Sequence, residues 1–290
     1  MKFKKSTYKA TRKISLIILI IITLTGATLY AGQKPLSVFV SIPPQAYFVE
    51  QLARERASVA ILADKGENPE SYAPKPHAII KLKKADIFFT IGVPFEKRLL
   101  EKIKNSFKNI NIVNTAKGIK LRKMEGGTED DPHTWLSPAL VKHQAKIITN
   151  ALCNADKAGE KIYKENLKRF INKLNKLNIK IKTALKPIAG GTIFVFHPAF
   201  GYFTDQYQLK QKAIQISGKT PKAAAVSSFI KQAKAQNIRI IFLQPQFDKQ
   251  AASKIAKAIN GAVVFLDPLG KNYIKNLEDI ADKILAALKP

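Results

Sequence analysis

Along the first half of the chain, short apolar runs typical of strands alternate with segments in which apolar residues recur with the period of a helix. Short apolar runs bounded by Pro, Gly or polar residues predict strands at 36–42, 57–62, 87–91 and 110–113. Between them, apolar residues that recur with a helical period predict helices at 45–54, 79–85 and 95–106. Strands that alternate with helices indicate βαβ units and a parallel sheet.

Two long helices are predicted next, at 138–155 and 159–186. The second has one apolar stripe, formed by Tyr163, Leu167, Phe170, Leu174, Leu177, Ile181 and Leu185. This spacing predicts one continuous amphipathic helix of roughly 28 residues, or about 40 Å. A coiled coil is the alternative, but so short a repeat between α/β segments favours a strut within the protein.

The alternation of strands and helices resumes after the Gly190-Gly191 turn. Strands are predicted at 192–196, 213–216, 238–243 and 262–266, and helices at 199–207, 223–236, 249–259 and 274–288. The predicted fold class is α/β, with two lobes that contain parallel sheets and are bridged by one long rigid helix. We place the N-terminal lobe at 32–158, the linking helix at 159–186 and the C-terminal lobe at 187–290.

Residues 1–31 have the layout of a secretory signal peptide. Six Lys or Arg and no acidic residue lie between Met1 and Lys13, and an apolar core at 14–24 is followed by small residues. The core is short for a bilayer span, so we expect cleavage after Ala31, or after Ala27 as the second choice. An uncleaved signal anchor is the alternative. Because no Cys lies near the site, the prediction is a periplasmic or otherwise extracytoplasmic protein that is not a lipoprotein.

Charge and cysteine content narrow the class of protein. The formal net charge is +28, and it stays strongly positive without the leader. The lysines are spread along the chain without a nucleic-acid-binding motif, so we expect no nucleic-acid partner. We expect the positive charge to keep the protein soluble and to attract it weakly to anionic surfaces. Cys153 is the only cysteine, which excludes an internal disulfide and thiolate-rich zinc sites. Its apolar neighbours predict that it is buried.

Two of the four histidines lie at the ends of predicted elements. His133 follows a Pro in Asp-Pro-His-Thr-Trp-Leu at 131–136, and His197 ends an apolar run in Phe-His-Pro-Ala-Phe-Gly-Tyr-Phe at 196–203. Neutral imidazole is the commonest metal ligand, so the pair suggests a metal site, although either histidine could be an ordinary hydrogen-bonded loop residue. The chain shows no hydrolase or phosphate-binding motif, and the prediction is that it is not an enzyme.

These motifs, taken in order, resemble the metal-specific substrate-binding proteins of ABC importers, which bind zinc or manganese. The other matching segments are Ser-Ile-Pro-Pro at 41–44, Ala-Asp-Ile at 85–87, Ile-Ser-Gly at 216–218 and Leu-Asp-Pro-Leu-Gly at 266–270. The resemblance implies two α/β lobes around a cleft in which four ligands meet. By this resemblance, the four ligand positions correspond to Glu70, His133, His197 and Asp267.

The chain departs from the family pattern at Glu70, where relatives usually have His, and at Gln244, where they often have Glu. It also lacks the His-rich insertion that some zinc binders carry before the second ligand. Two imidazoles and two carboxylates suit Zn²⁺, and the added oxygen shifts the preference toward Mn²⁺ or Fe²⁺. Alternatively, Glu70 points into solvent, or metal binding has been lost. Asp131 is expected to orient His133, and His77 could replace Glu70 as a ligand but more simply starts a helix.

The resemblance implies that the protein captures a divalent metal, zinc before manganese, and delivers it to an ABC transporter membrane permease. We expect it to act as a monomer. The competing hypothesis is a surface or adhesion protein of the same fold, with a structural metal site and a basic surface that binds polymers. A carrier must release its metal, whereas a structural site should hold it or unfold without it.

Overall fold

Two four-stranded parallel sheets form the centres of the two lobes. The computed structural model describes residues 34–103, 106–107, 109–215 and 223–289. The first sheet contains β1 (Leu36–Val40), β2 (Ala57–Ile61), β3 (Ile87–Thr90) and β4 (Asn111–Asn114), in the order β2-β1-β3-β4. The second contains β5 (Thr192–Val195), β6 (Lys210–Ala213), β7 (Ile240–Leu243) and β8 (Ala262–Phe265), in the order β6-β5-β7-β8. Every strand pairing within these two sheets is parallel, as predicted.

The helices connect and cover the strands. They are α1 (Pro43–Ala53), α2 (Pro76–Leu82), α3 (Pro94–Ile103), α4 (Pro138–Ala155), α5 (Glu160–Leu185), α6 (Gly201–Gln206), α7 (Ala223–Ala235), α8 (Lys249–Ala258) and α9 (Tyr273–Leu288). The predicted starts at 45 and 79 were two and three residues late, because α1 and α2 begin at Pro43 and Pro76. Proline favours the first helical turn, where its missing N–H is not needed.

The long helix α5 packs its predicted stripe into the interior. Its 26 residues bury Tyr163, Phe170 and Leu174 among others, and it contacts α1, α4 and α9. At its start the Asp156 carboxylate accepts from the Tyr163 hydroxyl at 2.5 Å and from Arg56 Nε at 2.7 Å. The helix is thereby anchored to the first lobe.

Among the described residues, the larger of two clusters of buried apolar side chains runs through both lobes. This cluster includes Phe48 and Phe89 from the first lobe, Phe170 from α5, and Phe242 and Ile284 from the second. The buried free Cys153 belongs to it, as predicted. The lobes are therefore packed against each other through shared apolar surface.

The strand predicted at 213–216 was placed too late. β6 is formed by the more polar Lys210–Ala213, which pairs in register with Thr192–Val195 of β5. It is an edge strand, so it needs little apolar surface. The apolar Ile214 follows it as a buried loop residue, which explains why the pattern was misplaced.

The predicted signal peptide at 1–31 lies outside the described residues, as does the Ile-Ser-Gly motif at 216–218. Within the described ranges, each helix is too short or too polar to cross a membrane.

Glu96, in the first turn of α3, accepts hydrogen bonds from the backbone of the loop between β3 and α3. Its Oε1 accepts from the Ile91 N–H at 2.9 Å, and its Oε2 accepts from the Gly92 N–H at 2.7 Å. The side chain is buried, and burial raises the pKa of Glu96 from 4.5 to about 7, against the lowering effect of the backbone donors.

We expect Glu96→Gln to lower the free energy of unfolding by about 1–3 kcal/mol, because the amide nitrogen cannot accept from the N–H that it would face. Since the folded pKa lies above the unfolded one, the wild-type carboxyl stabilises the fold most below about pH 4.5, and this contribution is lost as the pH rises through about 7. The difference from wild type should therefore narrow between about pH 5 and about pH 8 in urea unfolding. The exposed Glu101→Gln on the same helix is the control. A difference that widens with pH would contradict this assignment.

Candidate metal site

The second lobe presents four polar side chains just beyond the carboxyl ends of its parallel strands. His197 follows β5, Gln215 follows β6, Gln244 follows β7 and Asp267 follows β8. The carboxyl edge of a parallel sheet is where α/β proteins usually bind ligands, because all strand ends open there. The parallel register thus brings together residues that are far apart in the sequence.

His133 comes from the first lobe, in the loop before the 3₁₀ turn Thr134–Leu136. Asp131 Oδ1 accepts from the His133 backbone N–H at 2.9 Å and from its Nδ1 at 2.7 Å. A carboxylate can only accept, so Nδ1 carries the proton and Nε2 keeps its lone pair. The predicted orienting role of Asp131 stays a prediction for the metal-bound state, but its contacts are those the role requires.

His197 is held in the matching tautomer by Gln215, and its backbone is held by Gln244. Its Nδ1 donates to Gln215 Oε1 at 2.8 Å, which leaves the Nε2 lone pair free. Gln244 brackets its backbone, with Oε1 accepting from the His197 N–H at 3.2 Å and Nε2 donating to the His197 carbonyl at 2.8 Å. Burial, assisted by the neighbouring His133, lowers the pKa of His197 from 6.5 to about 3, so the ring is neutral at neutral pH. Neutral imidazole is the form that binds metal.

The two lone pairs point at each other across the lobes. His197 Nε2 lies 3.4 Å from His133 Nε2 and 3.4 Å from Glu70 Oε1. Two donors on one tetrahedral zinc, each at about 2.0–2.1 Å from the ion, lie about 3.3 Å apart. Buried acceptors that face each other repel unless a cation lies between them, so the chemistry and the spacing both fit a metal ion.

Glu70 turns toward the site and not into solvent. Its N–H donates to Asn68 Oδ1 at 2.9 Å, which fixes the turn, and its side chain is only 18% exposed. Burial raises the pKa of the Glu70 carboxyl, while the charge of a protonated His133 would lower it. This position supports a role as the third donor.

Asp267 is engaged elsewhere. Its Oδ1 accepts from the Leu269 N–H at 2.9 Å and lies 3.5 Å from Gln246 Nε2. Across the described ranges, no three His, Cys, Asp or Glu side chains already surround one common point as a metal site would. His133 and Glu70 each lie close to His197, and Asp267 stays a predicted ligand.

A cavity of about 30 Å³ lies at this junction. Residues of both lobes line it: Asn68, Pro69, Glu70, Val93, Pro94, Pro132, His133, Trp135, His197, Gln246, Phe247, Pro268 and Leu269. It has room for a water-sized occupant, whereas pockets for organic ligands are on the order of 300–1,000 Å³. A larger groove of about 940 Å³ adjoins it in the first lobe and shares Glu70 and Pro132. The junction cavity at His133 and His197 is thus large enough for an ion but too small for an organic ligand.

The other two histidines lie away from the site. His77 is exposed in the first turn of α2, as the simpler prediction had it. His143 is exposed on α4, where its Nε2 lies 2.8 Å from the Lys117 carbonyl oxygen. Sequence analysis missed Gln215 and saw Gln244 only as a departure from the family. For Gln244 the available signal was its position directly after a predicted strand, whereas Gln215 lay inside the strand predicted at 213–216 and had no such signal.

Comparison with known proteins gives one consistent result. The model of the family described as "Zinc-uptake complex component A periplasmic" (ZnuA) matches residues 38–287. The high-affinity zinc uptake system protein ZnuA of Bacillus subtilis is 27% identical over 288 residues, covering 88% of this chain and 89% of the relative. The manganese-binding lipoprotein MntA of Halalkalibacterium halodurans is 28% identical over 161 residues, or 55% of this chain and 53% of the relative.

A crystal structure of ZnuA shares the whole fold. It aligns with a TM-score of 0.85 and 35% identity, covering 88% of this chain and 100% of that chain. The two-lobe fold with a long linking helix and the family resemblance are therefore confirmed. With the family model spanning both lobes, this chain belongs to the ZnuA family of periplasmic zinc-uptake components.

Proposed function

We propose that the protein captures a divalent transition metal ion, zinc before manganese, between its lobes and delivers it to an ABC permease. The observation that carries the proposal is the pair of imidazole Nε2 atoms 3.4 Å apart, each with its Nδ1 committed to an acceptor. Glu70 supplies the third donor. Asp267 is the proposed fourth donor, and since its Oδ1 accepts from the Leu269 N–H, its Oδ2 is the oxygen left for the ion.

The donor set explains the order of metals. Two imidazoles favour zinc over the harder manganese and iron(II) ions, and two carboxylates reduce that preference. One relative is named for zinc uptake and another for manganese binding, so both ions occur among similar proteins.

A carrier role fits better than a structural metal. The hydrophobic cluster that spans both lobes is formed by apolar side chains, so we expect the fold to persist without the ion. Four protein ligands would leave no open position for an activated water, which supports a binding protein and not a metallohydrolase. The net positive charge is the feature of this chain that favours an adhesion role.

The cellular setting is part of the proposal. The basic and apolar leader supports export to the periplasm or cell surface, with the lobes at 32–158 and 187–290 around the helix at 159–186. MntA is named a lipoprotein, so lipid anchoring occurs among similar proteins. For this chain we propose a monomer, and one without a lipid anchor because its one cysteine, Cys153, is buried in α4.

Calorimetric titration of the chelator-stripped protein, purified after expression of the full chain, tests the function. We expect reversible one-to-one binding of Zn²⁺ and weaker binding of Mn²⁺. We also expect the stripped protein to keep its far-UV circular dichroism. If neither ion binds, the carrier function is wrong, and if the stripped protein unfolds, the metal is structural.

Glu70 variants show in the same titration whether the carboxylate is a ligand. Glu70→Ala should weaken zinc binding about tenfold or more, as expected when a donor is lost. Glu70→His should bind zinc well but manganese more weakly than wild type, because it replaces a hard oxygen with nitrogen. Equal affinities for wild type and Glu70→Ala would remove Glu70 from the ligand set.

A further inference from the structure

We propose that Arg122 is a positioning residue that links helix α6 of the second lobe to the Asp131–His133 pair and so raises metal affinity. The inference rests on the proposed metal capture. It concerns a side chain that touches neither the cavity nor a candidate ligand directly.

The guanidinium of Arg122 lies close to Tyr202 and Asp205 of α6. Its Nη1 is 3.2 Å from Asp205 Oδ2, and its Cζ is 5.9 Å from the centre of the Tyr202 ring. A Cβ at Gly201 would lie 2.1 Å from Nη1 and 2.5 Å from Cζ. The glycine therefore provides the space that this arrangement needs.

The other edge of the guanidinium faces Asp131. Arg122 Nε lies 3.8 Å from Asp131 Oδ2, while Asp131 Oδ1 holds both N–H groups of His133. Asp131 is only 1% exposed, so its carboxylate depends on a nearby positive charge. The two oxygens of the Asp131 carboxylate thus contact different partners: Oδ2 faces Arg122, and Oδ1 accepts from the His133 imidazole.

Tyr202 reinforces the same link through the backbone. Its hydroxyl accepts from the Arg122 N–H at 3.0 Å and donates to the Asp131 carbonyl at 2.9 Å. The Arg122 carbonyl also accepts from the Asp131 N–H at 2.8 Å. Both ends of the segment 122–131 are therefore fixed to each other and to α6.

The middle of this segment is tied to the second sheet. Glu125 Oε1 accepts from the Ala213 N–H at 3.1 Å, and its Oε2 accepts from Gln211 Nε2 at 3.3 Å, at the edge strand β6. The segment therefore straps the lobes together at the position where some zinc binders carry their His-rich insertion. A strap that fixes Asp131 presents the His133 lone pair in the direction of His197.

Zinc titration of Arg122→Gln tests the inference. Loss of an outer partner of a metal-binding histidine typically costs 10–100-fold in affinity, and we expect about tenfold here because Arg122 acts one step further out. Arg122→Lys, which keeps the charge, should recover part of the loss. Lys123→Gln removes the same charge from the neighbouring exposed residue, which pairs with Asp130, and should bind zinc like wild type.

Gly201→Ala is a second, independent variant. It leaves every charge in place but displaces the guanidinium, so it should also weaken zinc binding. Side-chain NMR of the four histidines gives a readout that loss of stability alone would not move, since the His133 nitrogen signals report its tautomer and its bond to Asp131. We expect those signals to change in Arg122→Gln and not in Lys123→Gln.

The outcomes separate two failures. A wild-type protein that binds no zinc contradicts the proposed function itself. A wild type that binds zinc while Arg122→Gln binds it equally well, or loses affinity with unchanged His133 signals, overturns the role of Arg122 alone. If Arg122→Gln does not fold, Gly201→Ala decides, and wild-type affinity in that variant overturns the inference.

Discussion

Zinc affinity is expected to fall by more than about 100-fold when His197 is replaced by alanine, which exceeds the usual cost of losing an outer partner. His197 Nε2 is the atom that the other two donors share, at 3.4 Å from both His133 Nε2 and Glu70 Oε1. Removing it leaves one imidazole and one carboxylate from the first lobe, with no nitrogen donor from the second. Of the proposed ligands, only the carboxylate of Asp267 would then remain in the second lobe.

The fold of this variant should survive, because the Gln215 and Gln244 side chains that surround His197 can bind water in the space vacated by the ring. His77→Ala is the matched control, since it removes an exposed imidazole on α2 and should leave zinc affinity unchanged. Calorimetry on the stripped proteins measures both. Comparable loss in the two variants, or none in His197→Ala, would contradict the assigned site.

Hydrophobic periodicity predicted the architecture well, for identifiable reasons. The stripe from Tyr163 to Leu185 is long and regular, so α5 was predicted nearly to its ends. The apolar runs of β1 and β3 are buried on both faces, as in parallel sheets generally. The position of β6 was predicted wrongly, because this strand is determined by backbone pairing with β5 and not by a pattern of apolar side chains.

The candidate site was only partly readable from the sequence. His133 and His197 stood out because each ends an element in a distinctive motif, and Asp131 is adjacent to one of them. Nothing local marks Gln215 as the partner of His197, because their contact arises from the parallel pairing of β5 and β6. The link through Arg122 likewise depends on how the lobes pack, since Tyr202 lies 80 positions further along the chain.

The same packing sets the largest expected effect on stability, which concerns Tyr273 at the start of α9. This side chain belongs to the second lobe but reaches the first, where its ring meets Phe48 edge to face at 4.9 Å. It is 1% exposed, and its hydroxyl donates to the Trp135 carbonyl at 2.8 Å. Trp135 in turn donates from Nε1 to the Pro268 carbonyl at 2.8 Å, so these two side chains join the lobes behind the candidate metal site.

Tyr273→Ala is expected to lower the free energy of unfolding by about 3–5 kcal/mol for the cavity, with about 1–3 kcal/mol more for the Trp135 carbonyl left without its donor. That is a large part of the roughly 5–15 kcal/mol that holds a typical domain folded. Tyr273→Phe keeps the ring and should show only the smaller loss, so the pair separates packing from hydrogen bonding. Urea unfolding of the stripped proteins measures both. Since one hydrophobic cluster spans the lobes, the wild type and Tyr273→Phe should unfold in a single transition, and separate transitions for the two lobes already in the wild-type protein would show that Tyr273 does not couple them.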